Sequence, residues 1–398
     1  MKILMLTPYV PYPPSSGGQI RTYNLLKHLS KKNQITLVAL YKDENEKKYF
    51  QLLKKYCKAI YLCQRPKKPW QIKTILTTVF SRLPFLVVRN YSQEASLTVK
   101  QILDKESFDV IHAETFYIMP HIPKTKIPIL LVEQTIEYEV YNHFLNSLPL
   151  FIRLVLKIDI LKLKYWERYF WRKANIVTAV CPSDESIIRN LEPDIKTTIV
   201  PNGAGDEMFI TKFTRKNLEN PAILFQGNYF WLQNVEAADF LINRVYPKLV
   251  DELPSAEIII SGQNAKKIVY QQKKNLRVID IPADDFEKVK KLYNGAALFI
   301  APIFGPGGTR LKILAAMAAG VPVIATKVGL EGLGITNKKE AIIADGADNF
   351  VNEIKAILSD MKLYEKTRKN AYNFVKDNYS WDQIAKKLEA VYKSITKI

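Results

Sequence analysis

The sequence predicts two α/β domains, each built on a doubly wound parallel sheet, and three observations lead to that fold class. The chain has 398 residues, which exceeds the roughly 150 residues of one ordinary domain. Its hydrophobic and charged fractions, 47% and 24%, are typical of soluble globular proteins and exclude a disordered or fibrous chain. Short apolar runs also alternate with longer helical patterns throughout, as they do in βαβ units.

A series of apolar runs gives the predicted strands, and one polar stretch divides them into two groups. The strands of the N-terminal half are 2–7, 34–41, 58–63, 109–114, 127–133, 174–180 and 197–202. Those of the C-terminal half are 222–227, 256–262, 277–281, 296–302, 321–326 and 340–345. The polar stretch 203–220 is the predicted linker. We therefore expect an N-terminal domain over 1–203, a C-terminal domain over 204–380, and a final helix, 381–398, whose return to the N-terminal domain stays open.

The cysteines, the histidines and the start of the chain bear on location and on metals. Cys57, Cys63 and Cys181 form no CxxC pair, so we expect no disulfide framework. Only four histidines are present, and we expect no metal site. The first apolar run is broken by prolines and indicates a buried strand rather than a signal peptide. Since no apolar stretch approaches the roughly 20 residues of a membrane-spanning helix, we expect a cytoplasmic protein.

Positive charge is concentrated in the N-terminal half. The net charge of +19 divides into +13 for residues 1–200 and +6 for residues 201–398. This asymmetry favours an anionic partner: a membrane surface, nucleic acid or a phosphorylated substrate. The alternative is a lysine-rich composition that only keeps the protein soluble.

Two stretches, 67–92 and 148–173, combine Lys and Arg with leucines and aromatic residues. That combination suits the surface of an anionic membrane, so a peripheral position on the inner face of the cell membrane is one expectation. The other is that one face of each stretch packs on the domain core while its lysines are only solvated. We do not expect nucleic acid as a partner, because no binding motif for it is present.

Two glycine-containing loops follow predicted strands, where α/β domains bind their ligands. The first is Ser15-Ser16-Gly17-Gly18, which opens a predicted helix over 19–30. Its glycines would let a ligand approach the free N–H groups of the helix start; a tight strand-to-helix turn is the alternative. The second runs from Gly305 to Lys312 and precedes a predicted helix over 313–320.

The second loop places two cations, Arg310 and Lys312, at a helix start. Cations there oppose the helix dipole, so their position needs a reason. A guanidinium fork and a point charge beside a glycine loop suit a diphosphate. A solvated helix start with incidental charges is the alternative interpretation.

These motifs carry a family resemblance. The segment GGTRLKILAAMAAGVPVIAT, with VGLEGL after it, resembles the donor-site signature of the family 4 glycosyltransferases, the retaining group with the GT-B fold. PNGAGDEMF at 201–209 resembles that family's hinge motif, and ILFQGNYFWLQNVEA at 223–237 resembles its first C-terminal strand and helix. The resemblance covers most of the chain.

The resemblance implies two Rossmann-like domains that face each other across a cleft. The N-domain would hold the acceptor and the C-domain a nucleotide-sugar donor, with UDP or GDP as the expected nucleotide and no cofactor or essential metal. It also implies a donor site whose residues are Gly17, Gly18, Gly227, Asn228, Gly307, Gly308, Thr309, Arg310, Lys312 and Glu331. Within that site, Arg310 and Lys312 are the predicted catalytic cations.

Acceptor residues are expected at the ends of two N-terminal strands. His112 and Glu114 end one strand, and alternation puts both side chains on the same side. Glu114 would accept a hydroxyl proton or stabilise the reacting sugar as a further catalytic residue, with Glu137 after the next strand also binding the acceptor. A solvated strand end is the alternative.

The chain departs from the family pattern at two glutamate positions. Gly307 and Ala315 stand where the family commonly has glutamates that contact the donor sugar and the ribose, and Asn228 and Gln233 stand near the places of a usual Arg and Lys. The expected function is a hexosyltransferase-type reaction onto a glycan or lipid-linked acceptor at the cytoplasmic membrane face. The alternative is a catalytically silent homologue that binds sugar nucleotide or glycan.

Overall fold

A computed structural model describes residues 1–68, 70–146, 149–305 and 310–396 of the chain. These residues form two compact units. Unit 1 comprises Met1–Pro201 and the segment from Ile384 onward, and unit 2 comprises Asn202–Gln383. The division falls close to the predicted boundary at 203, and most of the final helix belongs to unit 1.

Unit 1 is built on a seven-stranded parallel sheet with the strand order β3-β2-β1-β4-β5-β6-β7. Its strands are β1 Lys2–Thr7, β2 Gln34–Tyr41, β3 Ala59–Gln64, β4 Val110–Glu114, β5 Ile129–Glu133, β6 Ile176–Ala179 and β7 Thr197–Ile199. Its helices are α1 Gly17–Leu29, α2 Phe50–Lys54, α3 Ile72–Phe80, α4 Phe85–Asn90, α5 Gln93–Lys105, α6 Glu137–Asn146, α7 Leu150–Lys173 and α8 Pro182–Leu191.

Unit 2 is built on a six-stranded parallel sheet with the strand order β10-β9-β8-β11-β12-β13. Its strands are β8 Ala222–Asn228, β9 Glu257–Gln263, β10 Leu276–Asp280, β11 Leu298–Ala301, β12 Val323–Ala325 and β13 Ile342–Ile343. The helices that follow α8 are α9 Leu232–Phe240, α10 Tyr246–Glu252, α11 Phe286–Gly295, α12 Leu311–Ala318, α13 Lys327–Leu330, α14 Ala347–Ser359, α15 Met361–Tyr379 and α16 Trp381–Thr396.

Each unit has its own hydrophobic core, formed where helices cover the sheet. The central strands are buried along nearly their whole length; β1 exposes only its first residue, and β11 is buried throughout. This explains why they appear in the sequence as continuous apolar runs rather than alternating ones. Every predicted strand is present, with bounds that differ by a few residues, and the predicted doubly wound α/β class is confirmed.

The predicted linker at 203–220 is wrong, because this segment packs on unit 2. The Ile210 N–H donates to the Ala318 carbonyl oxygen at 3.2 Å, and the Tyr372 hydroxyl donates to the Ile210 carbonyl oxygen at 3.0 Å. A Cβ at Gly320 would lie 2.6 Å from the Ile210 side chain. Scattered apolar residues therefore anchor a segment whose polar composition suggested a free connection. In the part of the chain described here, no helix is long and apolar enough to cross a membrane.

Candidate functional site

Unit 2 carries the two predicted cations at the carboxyl end of β11. Arg310 occupies the N-cap position of α12 and donates from Nη2 to the Gly305 carbonyl oxygen at 2.7 Å. Lys312 lies in the first turn of α12, donates from Nζ to Asn234 Oδ1, and has its Nζ 4.8 Å from the ring centroid of Phe225. The partners of Lys312 are thus a neutral amide and an aromatic ring, and it forms no ion pair with any described residue.

The electrostatic environment disfavours a charge on Lys312. Burial, followed by the positive charge of Arg310, lowers the pKa of Lys312 to about 7. A second cation and a desolvated position both destabilise the ammonium. An anion bound at this place would reverse that effect, so the arrangement can bind a diphosphate and stabilise negative charge that develops on it.

A set of amide side chains lies at the ends of β8 and β9, next to Lys312. Asn228 donates from Nδ2 to Gln263 Oε1 at 3.0 Å and accepts at Oδ1 from Asn264 Nδ2 at 2.9 Å. Asn234 Nδ2 donates to the Asn228 carbonyl oxygen at 2.7 Å, while its Oδ1 accepts from Lys312. Asn234 is therefore a bridge between the end of β8 and the cation.

Gly227, predicted to bind the donor, has a packing role at this edge. A Cβ at Gly227 would lie 2.9 Å from the Asn234 Cγ, so the glycine leaves room for the bridging amide. Asn234 itself was not predicted from the sequence. Its only signal was a polar residue in the first turn of α9, a few residues after a strand, and that signal is common in α/β proteins.

For the other predicted donor residues of unit 2, the structure gives no side-chain contact that would assign a role. Glu331 is exposed and ends α13, where its N–H donates to the Val328 carbonyl oxygen at 3.4 Å. Gly307, Gly308 and Thr309 lie outside the described residues. Their contribution to a donor site stays a prediction.

In unit 1, His112 and Glu114 belong to a buried hydrogen-bond network at the end of β4. His112 and Glu114 do lie on the same side, with His112 Nε2 2.9 Å from Glu114 Oε1. The other carboxylate oxygen, Oε2, accepts from Gln134 Nε2 at 2.7 Å, and Arg21 Nε lies 3.6 Å from Oε1. His112 Nδ1 is 2.5 Å from the hydroxyl of Tyr392 on α16.

The structure shows His112 and Glu114 enclosed within unit 1, and their predicted acceptor role stays a prediction. Both side chains are fully buried, and both oxygens of the carboxylate are engaged by unit 1. Burial alone would raise the pKa of Glu114, but the His112 hydrogen bond and the charge of Arg21 hold it below its usual value. An ionised, satisfied carboxylate of this kind organises its neighbours and is a poor general base.

The Gly17–Gly18 loop adjoins this network. Ser16 caps α1, which begins two residues before the predicted start at 19, so Gly17 and Gly18 belong to its first turn; Gly17 is exposed. A Cβ at Gly18 would lie 2.5 Å from the Tyr9 hydroxyl oxygen and 2.9 Å from Gln134 Oε1. The Gly18 position therefore needs glycine for packing, whether or not a ligand approaches its N–H.

Glu137 is the predicted acceptor residue whose side chain is partly exposed. It is half-buried at the start of α6, and burial raises its pKa to about 7, against the lowering effect of Arg89. Nearby, Glu167 caps α6 by accepting from the Glu137 N–H at 2.9 Å. Burial, followed by the charge of Glu167, raises the pKa of Glu133 well above normal, and burial with the charge of Glu137 does the same for Glu167. Among the described residues, no group of acidic, His or Cys side chains is arranged to hold a metal ion.

Two family models match the chain. One, Glycosyltransferase Family 4, matches residues 15–207, and the other, Glycosyl transferases group 1, matches residues 220–360. Together with two parallel α/β units, these matches define a glycosyltransferase of the GT-B fold. The chain belongs to the family 4 glycosyltransferases, as its motifs predicted.

Individual relatives have low sequence identity to this chain but match it over more than half of its length. An uncharacterised 44.6 kDa protein of the cps region of Klebsiella pneumoniae is 23% identical over 95% of this chain and 96% of its own length. The lipopolysaccharide core biosynthesis mannosyltransferase LpsB of Rhizobium meliloti is 22% identical over 58% of this chain and 69% of its own. The Anabaena protein HepE, solved in complex with UDP-glucose, superposes with a TM-score of 0.65 at 15% identity, covering 99% of this chain and 100% of that chain.

Proposed function

We propose that this glycosyltransferase is a retaining enzyme that uses a nucleotide-diphosphate sugar. Unit 2 binds the donor, and unit 1 binds a glycan or lipid-linked acceptor. The observation that carries the proposal is the Arg310–Lys312 pair, in which two cations meet at a helix start and the lysine has only neutral partners among the described residues. A bound diphosphate would supply the negative charge that Lys312 lacks there.

The chemistry follows from where charge develops. As the bond between sugar and diphosphate breaks, negative charge grows on the leaving diphosphate, and Arg310 and Lys312 stabilise it more than they stabilise the intact donor. In a retaining reaction on one face of the sugar, the leaving oxygen itself takes the proton of the acceptor hydroxyl. No nucleophile from the protein is then needed, so the enzyme works by positioning and by charge stabilisation.

The relatives support the choice of substrates. HepE was solved with UDP-glucose, which favours a uridine nucleotide, with GDP as the second candidate. LpsB acts in lipopolysaccharide core biosynthesis, and the Klebsiella relative comes from a cps region. Both favour an acceptor in the assembly of a bacterial surface glycan.

Exposed apolar residues on one surface of unit 1 favour binding to a membrane. Along α7, apolar side chains recur every three or four residues on the outer face, each between 60% and 71% exposed: Leu150, Leu154, Ile158, Leu161 and Tyr165. We call this set the apolar stripe. The opposite face of α7 packs in the core, so the stripe is not needed to hold the helix in place.

Helix α3 extends the same surface. Lys162 of α7 donates from Nζ to the carbonyl oxygens of Thr78 and Ser81, both at 2.8 Å. Beside this contact, α3 and the position two residues before it expose large apolar side chains: Trp70, Ile72, Leu76, Val79 and Phe80. Exposed lysines, among them Lys73 and Lys157, accompany the apolar residues. Bulky apolar groups with cations beside them suit the interface of an anionic bilayer.

Donor binding is tested with a thermal-shift panel of UDP- and GDP-sugars, followed by donor hydrolysis. The matching donor at about 100 times its dissociation constant should stabilise the protein by roughly 2.7 kcal/mol. Lys312→Gln should remove the shift, whereas Lys291→Gln, an exposed lysine on α11, should keep it. Binding without any hydrolysis or transfer would favour the catalytically silent homologue, and no shift with any sugar nucleotide would contradict the proposal.

Membrane binding is tested by sedimentation with anionic and with neutral vesicles. Binding should require anionic lipid and weaken with added salt, because the cations are screened. The double variant Leu154→Ser/Ile158→Ser should bind less, while Leu52→Ser/Leu97→Ser, which changes exposed leucines of unit 1 outside the stripe, should bind as the wild type does. If the protein bound neither anionic nor neutral vesicles, the membrane part of the proposal would be refuted, and the donor part would not be affected.

A further inference from the structure

Two cations leave the sheet of unit 1 side by side at its carboxyl edge. Lys42 is the first residue after β2, and Arg65 is the first residue after β3. The two strands are parallel neighbours in which Tyr41 pairs with Gln64, and the Arg65 N–H donates to the Tyr41 carbonyl oxygen at 3.0 Å. Adjacent strands lie about 4.8 Å apart, so both side chains start from neighbouring backbone positions.

Arg89 of α4 completes the group. Arg65 donates from Nη1 to Asn90 Oδ1, which ties the end of β3 to the end of α4. Ser92, just after α4, donates from its hydroxyl to the Gln64 carbonyl oxygen at 2.6 Å. These bonds hold the short helix against the strand ends. Arg89 therefore shares the carboxyl edge with the two cations that follow β2 and β3.

The three charges act on one another, and the carboxylates that also act on them, Glu46 and Glu137, form no ion pair with them among the described residues. Desolvation and the charge of Arg65 are the main effects that lower the pKa of Lys42; Arg89 adds to them and Glu46 opposes them. Desolvation also lowers the pKa of Arg65 to about 10, with Tyr117 opposing and Arg89 adding to the effect. In the described part of the chain, none of the three cations has a carboxylate within ion-pair distance.

Buried donors on both arginines lack partners. The Nε atoms of Arg65 and Arg89 are buried, and neither has a hydrogen-bond partner among the residues that the structure describes. An unsatisfied buried donor costs roughly 1–3 kcal/mol, and more on a charged group. An oxyanion among the three cations would satisfy the donors and relieve the repulsion at once, and a guanidinium fork matches the geometry of a phosphate.

We propose that Lys42, Arg65 and Arg89 form an anion site of unit 1 that binds a phosphate group of the acceptor. The inference rests on the proposed function, which assigns the acceptor to unit 1. These three residues belong to unit 1, whereas the Arg310–Lys312 pair belongs to unit 2. A phosphate on a lipid carrier and a phosphate on a free sugar have the same chemistry here, and the experiment distinguishes them.

The test is calorimetric titration of inorganic pyrophosphate into the full chain. The protein is first saturated with whichever nucleoside diphosphate, UDP or GDP, its donor panel identifies, so that the donor site is filled. Arg89→Gln should weaken pyrophosphate by at least about tenfold, the loss expected for one charge-assisted contact, and leave nucleoside diphosphate binding unchanged. Lys42→Gln, at an exposed position, should act in the same direction without risk to folding. Lys100→Gln removes one charge from an exposed site on α5 and should change neither affinity.

The outcomes separate this inference from the proposed function. A saturated wild-type protein that binds no pyrophosphate, or variants at 42 and 89 that bind it normally, would overturn the anion site. A protein that binds pyrophosphate at this site but no nucleoside diphosphate would refute the donor proposal instead. Competition by geranyl diphosphate would identify a lipid-borne phosphate and competition by glucose 1-phosphate a sugar-borne one. Competition by neither would overturn the link to the acceptor.

Discussion

The carboxyl edges of the two sheets carry charged residues of opposite behaviour. At the end of β4 in unit 1, Glu114 is enclosed by donors that satisfy both of its oxygens, and its pKa is held low. At the start of α12 in unit 2, Lys312 is held by an amide and a ring next to another cation, and its pKa falls to about 7. Both positions follow strands, where α/β domains bind ligands.

The contrast shows how to distinguish a structural charge from one placed for a ligand. Glu114 has its compensating partners within its own unit, so its charge is stable without any ligand. Lys312 gains charge stability when an anion arrives, because no described residue forms an ion pair with it. A residue that stays charged without a ligand organises the fold, and a residue that a ligand must charge belongs to a binding site.

The largest expected effect concerns Arg310 and tests the ligand side of the contrast. Arg310→Ala should lower kcat/KM by about 10²- to 10³-fold, as the loss of one preorganised charge contact does. Arg310→Lys should recover little, because an ammonium cannot reproduce the two-pronged fork. Melting should barely change, since a cation at a helix N-terminus gains nothing from the dipole. Donor turnover and melting temperature of the three proteins give the answer.

Lys291→Ala, on an exposed face of α11, is the matched control for the loss of one positive charge from unit 2. If Arg310→Ala transfers sugar at the wild-type rate while it melts normally, the diphosphate binds elsewhere. The charged residues at the edge of unit 2 would then not be explained by ligand binding.

The second effect is on stability and concerns Glu114. In Glu114→Gln, one carboxylate oxygen becomes an amide donor that faces the donors of His112 or Gln134. Breaking a buried charged contact costs about 3–5 kcal/mol, which corresponds to a melting temperature lower by at least about 6 °C in a unit of this size. Thermal unfolding measures it. A variant that melts normally but turns over about 100-fold more slowly would instead support the catalytic role predicted from the sequence.

The sequence was sufficient for the fold but only partly for the sites. Strands buried on both faces appear as apolar runs, so each strand of both sheets was found, whereas the donor loop that the signature around Arg310 indicates stays a prediction. The roles of Glu114 and Lys42 depend on partners far apart in sequence, such as Tyr392 for the His112–Glu114 pair. Strand position alone does not tell whether such partners satisfy a charge, and Asn234 was missed for the same reason.

The smallest expected effect changes the state of Lys312 without removing it. In the wild-type protein, Lys312 is protonated below pH 7 and loses its proton as the pH rises through about 7. A bound diphosphate requires the charged form, so affinity for the donor should be constant below that pH and fall above it, with proton uptake on binding.

Asn234→Asp places a carboxylate where Oδ1 now accepts from Nζ. The pKa of Lys312 should then rise, the fall in affinity should disappear from the neutral range, and affinity at pH 6.5 should drop about tenfold, because the new charge repels the diphosphate and neutralises the lysine. Titration calorimetry with an intact sugar nucleotide, whose own charge is constant in this range, measures both terms, and Asn234→Ala controls for the lost hydrogen bond without adding charge. An affinity that is flat across neutral pH in the wild type would mean that Lys312 keeps its charge unaided, and the difference between the two edges would then lie in geometry alone.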